Sequence, residues 1–311
     1  MRPAAALIAI TCSLLAGCGS SGGQDADTPT GATPSGSLEA LWRAPGEDVA
    51  IVPGTSDYGP GRNRVSFLVV DSTSRLVERP TARVWISRGL KDEPYAETVA
   101  QLEPIGVPGG DSGAGSGAGG ADAKAIYVAE VDTPQPGKYW LLAEPVGGTP
   151  IQALGNVIVG KDAAAPGVGD PAVASETPTL ASTGGDLKAL TTSRRPDRAL
   201  YRSSVAQALA AGDPFVVSFA TPLYCQSRTC GPVVDVLSAV RKKLERRGIR
   251  FVHVEIYKDN DPANGVNRWV DEWKLPTEPF TFVVDRRGVI RAKLEGTFSV
   301  AELERAVRMV L

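Results

Sequence analysis

Two cysteines separated by four residues, Cys225 and Cys230, stand between an apolar run that reads as a buried strand, Pro214 to Ala220, and a helix that Pro232 opens at its first position. The stretch runs Phe-Ala-Thr-Pro-Leu-Tyr-Cys-Gln-Ser-Arg-Thr-Cys-Gly-Pro-Val over residues 219–233. A thiol at a helix start meets the positive end of the helix dipole, which favours the thiolate and its reactivity. In a continuous helix, residues five apart differ by about 500° of rotation and about 7.5 Å of rise. A disulfide requires Cα atoms within about 7 Å. If the two sulfurs bond, Cys225 must therefore sit in a loop that folds back toward Cys230.

The other two of the four cysteines lie near the start. Cys12 belongs to an apolar run from Ala4 to Ala16 behind Met1 and Arg2, which reads as the core of a secretory signal. The run is short against the roughly 20 residues a spanning helix requires. It closes on Leu15-Ala16-Gly17-Cys18, which resembles the lipobox of bacterial lipoproteins. That resemblance implies a signal and lipobox over residues 1–18, lipid on Cys18, and a place on the extracytoplasmic face of the cell membrane. There, disulfides can form and persist. Residues 19–37, rich in Gly, Ser, Thr, Asp and Pro, read as a flexible tether.

At 311 residues, with 42% hydrophobic and 22% charged side chains, the remainder can build more than one packed core. The net charge of −2 gives no reason to expect a nucleic-acid partner. Over residues 38–161 the pattern is seven short β-type runs with Gly and Pro between them, which predicts an all-β, immunoglobulin-like sandwich. A Gly-rich loop at 106–123 interrupts it. The domain carries no cysteine, no histidine and no acids at metal-ligand spacing. Trp85 and Trp140 read as core rather than as a binding surface, and the expected duty of the domain is to dock an unidentified protein.

Residues 162–198, rich in Ala, Pro, Gly, Ser and Thr, read as a linker, with Thr177-Pro178-Thr179-Leu180 placed to lie against the C-terminal domain. Residues 199–311 alternate strand and helix. Ser203 or Ser204 caps a helix through Ala211. The strand before Cys225 is followed by a helix with an apolar stripe at Val233, Val236, Leu237, Val240 and Leu244. Arg250 to Tyr257 is the next strand, Asp261-Pro262 opens a helix to about Lys274, and Phe280 to Val284 pairs with Val289 to Leu294 around Asp285-Arg286-Arg287-Gly288. Ser299 and Glu302 form a capping box for the last helix.

That order, with cysteines after the first strand, resembles the thioredoxin fold, an α/β architecture, over about a third of the chain. Pro279-Phe280-Thr281-Phe282-Val283-Val284-Asp285 is similar to the family segment that begins on a cis-proline, which implies that Pro279 faces the cysteine loop; Pro276, in Leu-Pro-Thr, is the alternative. The departures are equally specific. The family keeps two residues between its cysteines, and its buried acid is missing, Ser218 being the nearest strand position. Two registers stay open: Cys225 as the attacking sulfur with Cys230 resolving, or Cys230-Gly231-Pro232 laid over the start of the family motif with Cys225 as an upstream partner. His253 occupies what looks like the place of a family lysine, where it can act as a proton carrier or as a plain hydrogen-bonded strand residue. Glu255 lies on the same strand face. Tyr224 and Trp269 are candidates for a partner groove, with core packing the competing role for Trp269.

The resemblance implies thiol–disulfide exchange through Cys225 and Cys230 with thiols or disulfides of exported proteins, and no cofactor. The alternative is a non-catalytic docking lipoprotein in which the pair is a structural disulfide. A soft-metal site like that of copper chaperones lacks a third ligand after His253. A peroxiredoxin-like motif fails by one residue, because Pro222 stands one position too early for Cys230.

Overall fold

The computed structural model describes residues 36–47, 49–107, 123–224 and 232–311, apart from the side chain of Glu245. The signal and lipobox expected at the start, the tether up to residue 35, most of the Gly-rich loop and both Cys225 and Cys230 lie outside the described residues.

A short helix α1 (Leu38–Trp42), capped by Ser37, precedes seven strands: β1 (Val49–Pro53), β2 (Gly61–Asp71), β3 (Thr81–Ser87), β4 (Ala96–Pro104), β5 (Ala125–Thr133), β6 (Gly137–Pro145) and β7 (Ala153–Val159). All seven correspond to the runs legible in the sequence. The expected sandwich of two separate sheets is corrected, because the ladder closes into a barrel in the order β1-β2-β5-β4-β3-β6-β7. The β3–β4 hairpin is paired along six residues, and β1 pairs with β7 in parallel through Ala50 and Leu154, so neither set of strands keeps free edges there. Inward residues Val65, Phe67, Val84, Tyr127, Tyr139 and Leu141 fill the interior. Trp85 is buried, but on the outer face, under Leu38 of α1 and beside the partly buried Trp140. Lys138 Nζ lies 3.8 Å from the ring centre of Trp140.

The C-terminal half comprises α2 (Val205–Ala211), β8 (Phe215–Phe219), α3 (Val233–Leu244), β9 (Arg250–Val254), α4 (Arg268–Glu272), β10 (Phe280–Val284), β11 (Ile290–Glu295) and α5 (Val300–Arg308). Its sheet order is β11-β10-β8-β9, with β8 and β9 parallel and the other two pairs antiparallel. This is the strand order and polarity of a thioredoxin-like fold. Every residue of β8 is buried because both faces are covered. Val216 turns toward α3 and α5, while Phe215, Val217 and Phe219 turn toward α2, α4 and Trp273.

Local chemistry explains most boundaries. Ser204 and Gln207 form a reciprocal capping box, and Gly212 ends α2 at φ 66°. The single helix expected from Asp261 to Lys274 is instead a 3-10 turn at Pro262–Asn264 and the separate α4, because Gly265 takes φ 74° with extended ψ and breaks the helical path. The expected capping box of α5 is half formed. Ser299 accepts from the Glu302 amide, but the Glu302 carboxylate is taken by Arg64 of the barrel.

Residues 162–198, read as a linker, lie folded on the C-terminal half. Gly169 and Ala172 donate to the carbonyls of Ile290 and Gly288, and Leu180 donates to Tyr201. The fully buried Trp273 donates its indole N–H to Ser175 Oγ at 3.1 Å. The barrel and this half belong to one compact unit, Ser35–Leu311. Across it, Glu295 accepts from the amides of Ser56 and Asp57, Lys293 pairs with Asp57 at 2.6 Å, and Arg305 pairs with Glu103 at 2.7 Å.

Candidate functional site

The site is built at the end of β8. The Ala220 amide donates to the Val254 carbonyl of β9, prolonging the parallel ladder by one residue. The chain then turns through Thr221, Pro222, Leu223 and Tyr224, which leads into Cys225. On the far side of the cysteine segment Pro232 stands immediately before α3, and its carbonyl accepts from the Val236 amide to close the first helical turn. The strand end and helix start that the sequence predicts around the cysteines are both present; the cysteines themselves are outside the described residues.

Below this junction lies His253, 2% exposed on β9. Its Nε2 is 3.0 Å from the Ala220 carbonyl, which can only accept, so the proton sits on Nε2. Nδ1 then accepts from the Tyr201 hydroxyl at 2.8 Å. Burial pushes the imidazole below its ordinary value against the opposing influence of Glu255, which keeps the ring neutral. Both ring nitrogens are engaged, so the geometry gives His253 the role of holding the strand end and leaves no nitrogen free for a thiol. Ser218, at the place of the missing acid, shares a hydrogen bond with Thr281 of β10 at 2.8 Å.

Acids do stand nearby, at positions the fold resemblance does not indicate. Glu255 follows β9 and is 5% exposed. Its Oε1 accepts from both the amide and the hydroxyl of Thr192, whose Oγ1 in turn accepts from the Leu223 amide at 3.1 Å. Thr192, which carries no signal in the sequence, thus ties the residue two before Cys225 to the end of β9. Glu278 accepts from the Tyr257 hydroxyl at 3.2 Å. The Tyr257 ring meets the Tyr224 ring edge-on, with centroids 6.1 Å apart. Glu255 Oε2 and Glu278 Oε2 are both buried without a hydrogen-bond partner. Burial, with the charge of Glu255 adding to it, pushes Glu278 up to about 7. Burial, with Glu278 beside it, also raises Tyr257.

Pro279 follows Glu278 through a cis peptide bond, whereas Pro276 is not cis. The partly buried Trp269 packs on the core face of the sheet and donates its indole N–H to the Glu255 carbonyl. Its indole ties down the Glu255 backbone, and Trp269 also helps to line a pocket with Thr177, Ser204 and Gln207. Among the described residues no group of three His, Cys, Asp or Glu could hold a metal ion. One sequence signal does point to the acids: Glu278 stands in Pro-Thr-Glu-Pro-Phe-Thr-Phe, a carboxylate set directly against an apolar strand.

No family model matches the sequence, and no curated protein matches it. Among solved structures, the chain is similar to a thiol:disulfide interchange protein of the thioredoxin family from Chlorobium tepidum TLS. The two are 18% identical, the match covers 47% of this chain and 99% of that one, and the TM-score is 0.31. The fold assignment here rests on the strand order and registers given above.

Proposed function

We propose that this protein is a membrane-anchored, extracytoplasmic thiol–disulfide exchange protein acting through Cys225 and Cys230, with lipid on Cys18. The observation that carries the reading is the junction at the end of β8. The cysteine segment is bounded by a strand end anchored from below and by a helix started by Pro232, the setting in which a thiolate is stabilised by the helix dipole. In the reaction one thiolate attacks a disulfide of an exported protein, and the second cysteine resolves the mixed disulfide. The anchor is supported by Leu15-Ala16-Gly17-Cys18, and among the described residues no helix is long and apolar enough to cross a membrane. The barrel serves this reading as a docking module for an unidentified protein.

The engaged His253 favours a second reading, a docking lipoprotein whose disulfide is structural, because it removes the one histidine from proton transfer. One titration separates the two. The soluble fragment is equilibrated in graded thiol buffers, free thiols are trapped by alkylation, and Cys225 and Cys230 are followed by mass spectrometry. A midpoint between about −120 and −270 mV supports exchange, and a bridge still closed below about −300 mV makes it structural.

A further inference from the structure

The barrel meets the C-terminal half on one side. Arg64 of β2, Glu103 of β4 and residues 56 and 57 between β1 and β2 make the contacts, and Val99 and Glu130 line the cleft beside them. In the order β1-β2-β5-β4-β3-β6-β7 that side is β2-β5-β4, so β6, β7 and β1 lie across the barrel from it. On these strands the residues that alternate with the core ones point outward. In the β6–β7 ladder Lys138 stands opposite Ile158 and Trp140 opposite Asn156, and the pairing of Ala50 with Leu154 brings Val52 alongside. Ile158 is 59% exposed and Val52 38%. Helix α1 covers only part of this face, where Leu38 and Leu41 pack with Trp85, Leu142 and Leu154, and the next residue, Trp42, is 38% exposed. A cation stands over each of the two outer indoles: Lys138 on Trp140, and Arg43, 5.7 Å from the ring centre, on Trp42. Glu39 neutralises Arg43, whereas among the described residues no acid pairs with Lys138.

We propose that the β6-β7-β1 face, with α1 laid across it, rests on the membrane surface, and that its occupant is a bilayer containing anionic phospholipid. The assignment takes the lipid on Cys18 from the function proposed above. Indole rings and long cationic stems are the side chains that settle at the boundary between headgroups and acyl chains, and a patch of exposed apolar side chains marks a contact surface. The direction from which the chain arrives selects the bilayer over other occupants. Ser37 caps α1 on this same face and Leu38 is buried beneath it. The seventeen residues 19–35 reach at most about 60 Å back to Cys18. An anchor there holds this face, not the opposite one, toward the lipid. Trp42, Trp140 and Ile158 sit among the headgroups, and Lys138 meets lipid phosphate. The barrel then carries the C-terminal half on its far side, open to partners from the aqueous phase.

The test sediments lipid-free residues 19–311, which contain the whole compact unit, with vesicles of equal parts phosphatidylglycerol and phosphatidylcholine, and with phosphatidylcholine alone. The wild type is expected to bind the mixed vesicles, to bind phosphatidylcholine less, and to be released by high salt. Lys138→Glu and Ile158→Glu, both at exposed positions, should each weaken binding roughly tenfold, while Val99→Glu, in the cleft on the other side, leaves it unchanged. Equal loss in Val99→Glu overturns the proposal, as does binding that none of the variants alters. A wild-type dimer that ignores vesicles and is broken by Ile158→Glu gives the face to a second copy and also overturns it. The intact mass of the full chain reads the lipid on Cys18 separately. A lipidated chain whose residues 19–311 ignore vesicles overturns the docked face and leaves the anchor; vesicle binding by residues 19–311 of a chain that carries no lipid keeps the face and overturns the anchor. In the lipidated chain, brominated phospholipid should quench tryptophan fluorescence, and Trp42→Phe with Trp140→Phe should remove that quenching. Quenching that survives the double substitution overturns the assignment.

Discussion

The Tyr201 hydroxyl donates to Nδ1 of His253 at 2.8 Å while the opposite ring nitrogen donates to the carbonyl of Ala220, so one neutral imidazole joins a 3-10 turn, a strand and the approach to the cysteines. Replacing it with Phe removes the acceptor of the buried Tyr201 hydroxyl and the side-chain donor to the Ala220 carbonyl. His253→Phe is expected to lose about 2–4 kcal/mol in denaturant unfolding at pH 7. Because burial holds the folded-state value below that of the free side chain, the unfolded chain binds the extra proton. The contribution is complete above about pH 6.5 and is lost as the pH falls from there. In an assay of disulfide exchange, a folded His253→Gln protein should keep the wild-type pH profile. A shifted profile would show that the ring does carry protons.

Arg64 of the barrel ends on three partners of the C-terminal half. It donates to the carbonyls of Glu295 at 2.9 Å and Thr297 at 2.8 Å, and it pairs with Glu302. Its side chain is 7% exposed and that of Glu302 is 10% exposed. Removing one partner of such a pair strands the other charge. Arg64→Met is expected to cost about 3–5 kcal/mol, and Arg64→Met with Glu302→Gln should recover part of that loss. Denaturation midpoints of the four proteins of the cycle decide it, and a single-variant loss under about 1 kcal/mol would mean that water reaches the pair.

Much of this architecture is legible in the sequence because period and punctuation are local properties. All seven barrel strands, the caps at Ser204 and Ser299 and the turn at Asp285 can be read from neighbouring residues. Closure of the barrel cannot, since it depends on β1 meeting β7, a matter of register between segments about a hundred residues apart. The diversion of Glu302 from its own cap to Arg64 is likewise invisible in either segment alone. In the site, a single histidine in the whole chain points toward proton transfer, yet the partners that commit it, Tyr201 and Ala220, are 52 and 33 residues away in sequence. Glu278 carries one local signal, a carboxylate set against an apolar strand, but an acid beside a proline reads first as a turn. Only the fold brings it to Tyr257.

The order of residues 162–198 comes from the surface beneath them, since their small and hydroxylated side chains have no core of their own. The amides of Gly169, Ala172 and Leu180 donate to the C-terminal half, and that of Thr192 donates to Glu255. In native-state hydrogen exchange these four should exchange at least about 10²-fold more slowly than an unstructured peptide. Ser175→Ala, which removes the hydroxyl that accepts from Trp273 and donates to Glu272, should speed exchange along the neighbouring part of the segment. Coil-like rates in the wild type would return the segment to the status of a tether.

Glu278 also links stability to pH, with a sign opposite to that of His253. Its folded-state value, about 7, lies above the ordinary value of a glutamate, so the folded chain holds a proton that the unfolded chain has already released. The stabilisation is complete below about pH 4.3 and is lost as the pH rises to about 7. The side chain is half-buried, so solvent screening reduces the effect to roughly 1–2 kcal/mol. Glu278→Gln keeps the neutral shape at every pH. Its stability relative to wild type is therefore expected to rise by that amount between pH 5 and pH 8, read from urea midpoints at constant m. Parallel curves for the two proteins across that window would mean that Glu278 is ionised throughout and that its open oxygen is met by water.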